Sequence, residues 1–516
     1  MFVDDVNWNE KALIGSSPET MLKEMLENAN NLLKKNREIL EDIKKDQDTL
    51  AREKKKLRLE DKKYYKSLTP DFLEFLVPEK KLEVDKLNLE TGRPRMDPQL
   101  VYLFIVIRGY YGSVTNQKAF EQILDSRTID AILQGWNLKM PGRTTILENL
   151  NAISNETREK ILNAQIEEVK EEGLDDFKEC QIDSTSVKGN TEWPTDAGIL
   201  LALLTGTCNL FKKLVKFGID KFKAGWTWTW IENLAQLLYK INTTAGKPKS
   251  KRKIEKFYSE FLKTAKKINE HLIKEKDRIK NQVSKIDLAP SIMLKLNAIW
   301  DKINSQIIDI VNVLYYAQDR ILNGVVLKAT EKILSISDRT AAYIKKGDRE
   351  DVIGYKPQIA KSGNGFITSV TVPKGNASDS GEFEEVVEDV IKRTKVIPIE
   401  ISVDDGYASK RGKENVEKLG VKRVSIGGSK GKKLTGDEEY DSEDYKKARA
   451  KRSGIESVIY VLKYVFEFGQ LKRRGIEAVE SELLEKVVAY NFKKKVEIVR
   501  REEKEKQKAR ENKKSA

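Results

Sequence analysis

Two short strand-like runs, each closing on an aspartate, lie more than 200 positions apart in this chain, and most of the intervening residues read as helix. The first is Glu179-Cys180-Gln181-Ile182-Asp183-Ser184-Thr185-Ser186-Val187; the second is Val396–Val403, followed by Asp404. Strands this short need neighbours and a covering layer before they are stable. The chain must therefore build one sheet from distant segments. Residues 331–470 supply the other signals. Ile333–Ser337, Ile353–Ala360, Gly365–Val372 and Val421–Ile426 read as strands, alternating with helices at 379–393, 410–418 and 441–468. That alternation predicts an α/β layer with some parallel pairing. The block 197–330 is helical, apolar at 199–215 and aromatic at 226–239, with a Lys-rich loop at 245–253. It is inserted just after the first strand.

The amino-terminal half is helical. Residues 17–66 read as one long polar helix whose seam repeats every seven residues: Leu26, Leu33, Leu40, Gln47 and Lys54, with a second row at Leu22, Ala29, Asn36, Ile43, Leu50 and Leu57. The pattern fits a coiled coil and equally a helix laid on its own domain. From Pro78 to about Asp175, Gly92-Arg93-Pro94-Arg95 and Asp97-Pro98 open a helical region with a buried run at Leu100–Ile107. A helix over 119–133 and a third, capped by Thr144 or Thr145 after Pro141-Gly142, resemble a helix-turn-helix with Arg143 at its entry; an ordinary helical hairpin fits as well. The last 25 residues are charged and predict a frayed tail. The expected divisions are 1–77, 78–175, 176–196 with 331–470, 197–330, and 471–516.

Composition narrows the chemistry. One histidine, His271, excludes multi-histidine zinc sites and His-based acid/base pairs, leaving carboxylates, Lys, Tyr or a hard metal on oxygen ligands. Two cysteines, Cys180 and Cys208, make no disulfide framework and point to a reducing, cytoplasmic setting. The apolar run Gly198–Phe211 is too short to span a bilayer, so no membrane is expected. A net charge of +14 favours a polyanionic partner.

Asp183 and Asp404 at strand ends, with Glu456 among the apolar helix neighbours Ile455, Val458, Ile459 and Leu462, would form an oxygen cage for Mg²⁺ or Mn²⁺. Two such ions can drive phosphodiester displacement. The loop Gly427-Gly428-Ser429-Lys430-Gly431-Lys432-Lys433 fails the P-loop spacing, which argues against a nucleotide cofactor; Lys430 and Lys432 suit a polyphosphate backbone or plain solvent. Trp226, Trp228 and Trp230 alternate too closely to share one helix face, so at least one packs in a core, whereas Trp193 lies near Asp183 in sequence and is a candidate for stacking on a base.

Several of these pieces together resemble one family. Arg452, Glu456 and Lys463 keep the spacing of the last part of the Tyr-Arg-Glu-Lys (YREK) motif of bacterial insertion-sequence DDE transposases. Asp404-Asp405-Gly406-Tyr407 and Asp183-Ser184-Thr185 look like its two aspartate motifs, and Trp193-Pro194-Thr195-Asp196 resembles a segment of the ISNCY-like subgroup. Gly92-Arg93-Pro94 and Asp97-Pro98 look like the start of its helical domain. The resemblance implies an α/β, RNase H-like catalytic domain with a mixed sheet flanked by helices, a large all-α insertion, an all-α N-terminal DNA-binding region and a long coiled-coil-like helix. It also implies Asp183, Asp404 and Glu456 as a triad for two Mg²⁺ (or Mn²⁺) ions, and Arg452 and Lys463 as DNA contacts. The motif's tyrosine position holds Arg449; Tyr445, one turn earlier, is the candidate replacement. The implied partners are double-stranded DNA at terminal repeats and target, and further copies of the chain, as a homodimer or higher oligomer on paired ends.

Overall fold

The computed structural model describes residues 17–68, 96–112, 117–135, 140–192, 194–345 and 351–515. The chain divides into two compact units: one comprises Met1–Leu50, Pro94–Thr191 and Thr340–Ala516, the other Ala51–Arg93 and Glu192–Arg339.

The first unit is organised by a five-stranded mixed sheet. Its strands are β1 (Glu179–Ser184), β5 (Gln358–Ser362), β6 (Ile367–Thr371), β7 (Glu400–Val403) and β8 (Arg423–Ile426), in the order β6-β5-β1-β7-β8. β1 pairs antiparallel with β5 and parallel with β7, and β7 pairs parallel with β8. Strand alternation gives the central strands two chemically distinct faces. Cys180, Ile182, Ile401, Val403, Val424 and Ile426 pack with Phe383, Val386, Val387 and Val390 of the helix Asp379–Thr394. The opposite face carries Gln181, Asp183, Ser402 and Ser425, all buried. A second small sheet joins β2 (Val187–Lys188), β4 (Val352–Tyr355) and β3 (Ala342–Ile344).

Several sequence expectations need correction here. Ile333–Ser337 forms no strand, and Ile353–Ala360 is split between two sheets by Lys356-Pro357. The single helix expected over 441–468 is a series of shorter ones that includes Glu443–Lys451 and Ser453–Val465. The glycine-lysine segment is a helix, Gly428–Thr435, and not a loop. The helix after Gly142 starts at Arg143 without a side-chain cap, so neither Thr144 nor Thr145 serves as one.

The second unit is helical, with Asp196–Leu214, Thr227–Thr244, Lys251–Lys285 and Pro290–Ile321 around one apolar core. Asp61 caps the last of these by accepting from Ser291 N at 2.8 Å. The apolar segment Asp196–Phe217 is 22 residues long, with a mean hydropathy of 1.4, so length and composition alone would let it cross a membrane. In the fold, Leu200, Leu203, Leu204, Cys208 and Phe211 are core residues of this unit. Trp228 and Trp230 pack partly buried on that core and Trp226 is exposed, as the alternating spacing requires.

The seam over 17–66 is not one helix. It breaks between Ser17–Lys35 and Glu38–Ser67, where the Asn36 amide donates to the Leu32 carbonyl at 2.9 Å and closes the first helix. Leu22, Leu26, Ala29, Leu33 and Ile43 are buried within the chain's own first unit, where Ser17–Lys35 packs on Pro98–Tyr110 and on the carboxy-terminal helix Ile476–Ser515. The first half of the seam is thus consumed internally, while Leu40, Leu50 and Leu57 are half-buried. The last residues continue that same helix, whose first half is buried through Val479, Leu483, Val487, Tyr490 and Val496, while residues 503–512 are exposed. Its packing on Pro98–Tyr110 is so close that a Cβ at Gly109 would meet the Glu485 carbonyl oxygen at 2.1 Å.

At that crossing Glu485 is enclosed by three arginines. Arg108 Nε donates to it at 2.6 Å, Arg158 Nε at 2.7 Å and Arg473 Nη2 at 2.6 Å. Burial pushes the carboxyl up, but the charges of Arg108, Arg473 and Arg158 overcome this and hold it at about 2. A folded value below the unfolded one stabilises the fold above the ordinary carboxylate range, and the benefit is lost as pH falls towards 2. Glu485→Gln leaves buried guanidinium charge uncompensated and is expected to cost about 3–5 kcal/mol. Urea denaturation at neutral pH measures the loss, and the variant's stability should vary less between pH 4.5 and 2 than that of the parent chain.

Candidate active site

The site lies at the carboxyl ends of the parallel strands, where α/β sheets place their ligands. The β1–β7 register pairs Cys180 with Ile401 and Gln181 with Ser402; continued by two residues, it sets Asp183 opposite Asp404. Both aspartates belong to the polar face of the sheet, which the segments carrying Glu443–Lys451 and Ser453–Val465 cover. The Ser402 hydroxyl donates to the Ala448 carbonyl at 2.8 Å, tying this cover to β7.

Asp183, Asp404, Asp405, Gly427, Gly428, Arg452 and Glu456 line one cavity of about 350 Å³. The residues come from four separate stretches of sequence. Asp183 is buried, at 8 % exposure. Asp404 Oδ1 accepts from Gly406 N at 2.9 Å, which fixes the turn after β7. Asp405 is engaged differently. Its Oδ1 accepts from Lys430 N and Gly431 N, at 2.8 and 3.1 Å, and so satisfies the amino end of the helix Gly428–Thr435. Glu456 departs from the sequence expectation of an inward carboxylate among apolar neighbours. Its side chain is 58 % exposed and accepts from Arg452 Nη2 at 2.5 Å, while Ile455, Val458 and Leu462 take the buried face of the helix. Among the described residues no three acidic, histidine or cysteine side chains converge closely enough to share one ion. The acidic groups therefore share a cavity without forming a closed cage.

Beneath the cavity lies a buried polar network that sequence reasoning missed. Asp379 Oδ1 accepts from Gln358 Nε2 at 3.0 Å and from Lys356 Nζ at 2.9 Å, and the Ser184 hydroxyl also reaches it. The Tyr407 hydroxyl donates to Gln358 Oε1, and its ring packs edge-on against Phe383. Burial pushes the Asp379 carboxyl up, but bonds from Gln358, Lys356 and Ser184 carry it below the usual range. Tyr407 is pushed well up, by burial first and then by the charges of Asp379, Asp183 and Asp404. Ser184 adjoins Asp183 and Tyr407 lies three residues past Asp404, so one network braces both aspartate-bearing turns. In the sequence Asp379 gave no signal beyond an acidic helix start.

The other candidates separate. Tyr445 is corrected from a DNA contact to a core residue. It is 1 % exposed, and its hydroxyl is engaged by Ile426 N at 2.8 Å and by Thr435. Arg449 packs over the Tyr440 ring at 4.1 Å. Lys432 is paired with Asp437 and Asp441, both at 3.2 Å, whereas the Lys430 side chain is exposed. Lys463 is half-buried on the Glu456 helix, outside the cavity lining. Arg143 is half-buried at the start of its helix. Trp193, Gly92, Arg93 and Pro94 lie outside the described residues.

Residues 327–492 match a family model described as a transposase DDE domain. Asp404 and Glu456 fall inside the matched stretch and Asp183 precedes it. The match supports a DDE transposase family for this chain. Such a domain implies an RNase H-like fold, DNA as substrate and, in general, divalent metal ions. Comparisons with curated proteins and with solved structures give no match.

Lys356→Met tests the network beneath the cavity. The Asp379 carboxyl should rise once its cationic donor is gone. Because its folded value is depressed, its contribution to stability is present above the unfolded value of 3.8 and lost as pH falls through the folded one. The variant should lose about 1.5–3 kcal/mol at pH 7, the range for a hydrogen bond to a charged group. Its deficit should shrink in acid, as followed by thermal unfolding across pH.

Proposed function

We propose that this chain is a DNA transposase that binds the terminal repeats of an insertion sequence, cuts DNA strands and joins them to target DNA. The observation that carries the reading is the shared cavity: Asp183, Asp404 and Glu456, spread over more than 270 positions of sequence, line it together beside Arg452. The transposase DDE match over 327–492 supports the same reading independently.

On this reading Asp183 and Asp404 would hold divalent ions, Mg²⁺ or Mn²⁺, and Glu456 would complete the set once released from Arg452. An exposed ion pair contributes only about 0–1 kcal/mol, so that exchange costs little. When bound, a pair of such ions would supply activation of the attacking oxygen and stabilisation of the leaving one in a phosphodiester displacement. The chain's own groups do the rest. The buried network under Ser184 and Tyr407 fixes the two aspartates. Arg452, released from Glu456, offers a guanidinium to a DNA phosphate at the cavity wall. Exposed Lys430 and half-buried Lys463 and Arg143 are further candidates for the DNA backbone, with terminal-repeat selectivity assigned to the helical region 78–175. Joining two DNA ends requires more than one protomer. Because the first half of the 17–66 seam is buried internally, we place the contact between copies in the helical insertion 197–330. The setting we propose is the bacterial cytoplasm, where the DNA is.

The test is incubation of the full chain with DNA carrying the ends of its element, Mg²⁺ and a target plasmid. Joined products are expected. Asp183→Asn, Asp404→Asn and Glu456→Gln should each reduce cleavage by about 10²–10³-fold or more, the scale of losing a charge-stabilising group, while a gel shift with the same DNA persists. Metal-independent cutting, or full activity in any of the three variants, would refute the triad. A gel shift without cleavage by the parent chain would instead favour a domesticated DNA-binding protein.

A further inference from the structure

The helix that carries Glu456 continues outward as a row of side chains at four-residue spacing: Arg452 at its cap, then Glu456, Tyr460 and Tyr464. Four residues advance about 6 Å and drift about 40° around the axis, so these side chains form one stripe. Ile455, Val458 and Leu462 bury the opposite face. Tyr460 and Tyr464 are 62 % and 72 % exposed, and their rings touch at 4.5 Å between centroids with a 41° tilt. Among the described residues of the first unit they are the two aromatic side chains left largely exposed. The inner end of the stripe, Arg452 and Glu456, is part of the cavity wall.

We infer that Tyr460 and Tyr464 form a stacking step for the bases of an unpaired DNA strand whose backbone lies in the cavity. The inference rests on the DNA-cutting reading above and adds to it a class of substrate structure. A strand held beside Arg452 and Glu456 meets these rings next, and Lys463, between them in sequence, brings a cation for its backbone. Bases inside a duplex are covered by neighbours at about 3.4 Å along the strand, so ring faces here can serve only a base that has left the stack. The step therefore selects DNA opened next to the reacting bond.

The probe is a duplex of about 20 base pairs ending in a short 3′ single-stranded extension with 2-aminopurine at its first unpaired position, compared with the same duplex made blunt. The full chain, in EDTA, should bind the extended duplex about fivefold or more tightly than the blunt one, the lower end of what one stacked base contributes, and should quench the 2-aminopurine. Tyr460→Ala with Tyr464→Ala should abolish that preference and the quenching and leave affinity for blunt duplex within about twofold. Tyr460→Phe with Tyr464→Phe should keep both, since the ring and not the hydroxyl stacks. An unchanged preference in the alanine pair overturns the inference, as does a phenylalanine pair as defective as the alanine pair. So does a loss of protomer association on sedimentation with the preference intact, which would make the rings a protein interface. A parent chain that cuts DNA with Mg²⁺ yet shows no preference sinks the stacking step alone; one that neither binds nor cuts DNA sinks the parent reading with it.

Discussion

The parallel pairing of Glu179–Ser184 with Glu400–Val403 is the contact on which the candidate site depends. It sets two aspartates level at the carboxyl ends of adjacent strands, on the face that Gln181, Ser402 and Ser425 already make polar. The other face is apolar and held by the helix Asp379–Thr394. A one-residue slip would exchange the faces, driving Asp183 into the apolar core and exposing Ile182 to the cavity. The cost of burying a carboxylate without partners enforces the register.

Support for that sheet comes from an element that its sequence disguises. The carboxy-terminal helix is rich in charge, yet its first half is a core strut. Part of that charge is turned inward and neutralised: Glu485 by Arg108, Arg158 and Arg473, and Glu482 by Lys486 at 2.8 Å. Lys495 likewise meets Glu168 at 2.7 Å. Ion pairs of this kind add little net stability over apolar packing, but breaking one partner is costly. They specify which helices meet, and Gly109 sets how closely.

The site itself combines a buried, bonded half and an exposed half. Asp183 and Asp404 are braced from below through Ser184, Gln358, Asp379 and Tyr407, groups with little solvent access. Glu456 is exposed and is held by Arg452, its neighbour one turn earlier. The same helix then carries the two exposed tyrosines, so one element runs from the cavity wall to the surface.

Local pattern carried much of this. The strands around Asp183 and before Asp404 were legible because each is a short apolar alternation ending in small or acidic residues, and the helix Asp379–Thr394 from its acidic start and periodicity. Grouping Asp183, Asp404 and Glu456 was legible from their strand-end and helix positions and from the order and spacing of their motifs. What periodicity could not decide was which partner each face would meet. The heptad seam of 17–66 has the same pattern whether it binds another copy or its own domain, and the fold chose the latter, with a break at Asn36. Tyr445 sits at a helical spacing that could face DNA or core, and its hydroxyl bonds to the β8 backbone place it in the core. Lys356 gave no sign, and Asp379 none beyond an acidic helix start, since their bond spans a turn and a strand pair. Sequence determined the residue types, the local periodicity and the spacing of the acidic motifs, because these are properties of neighbours along the chain. Tertiary structure alone decided which charges were buried and which stayed exposed, because desolvation depends on what packs from elsewhere in the fold.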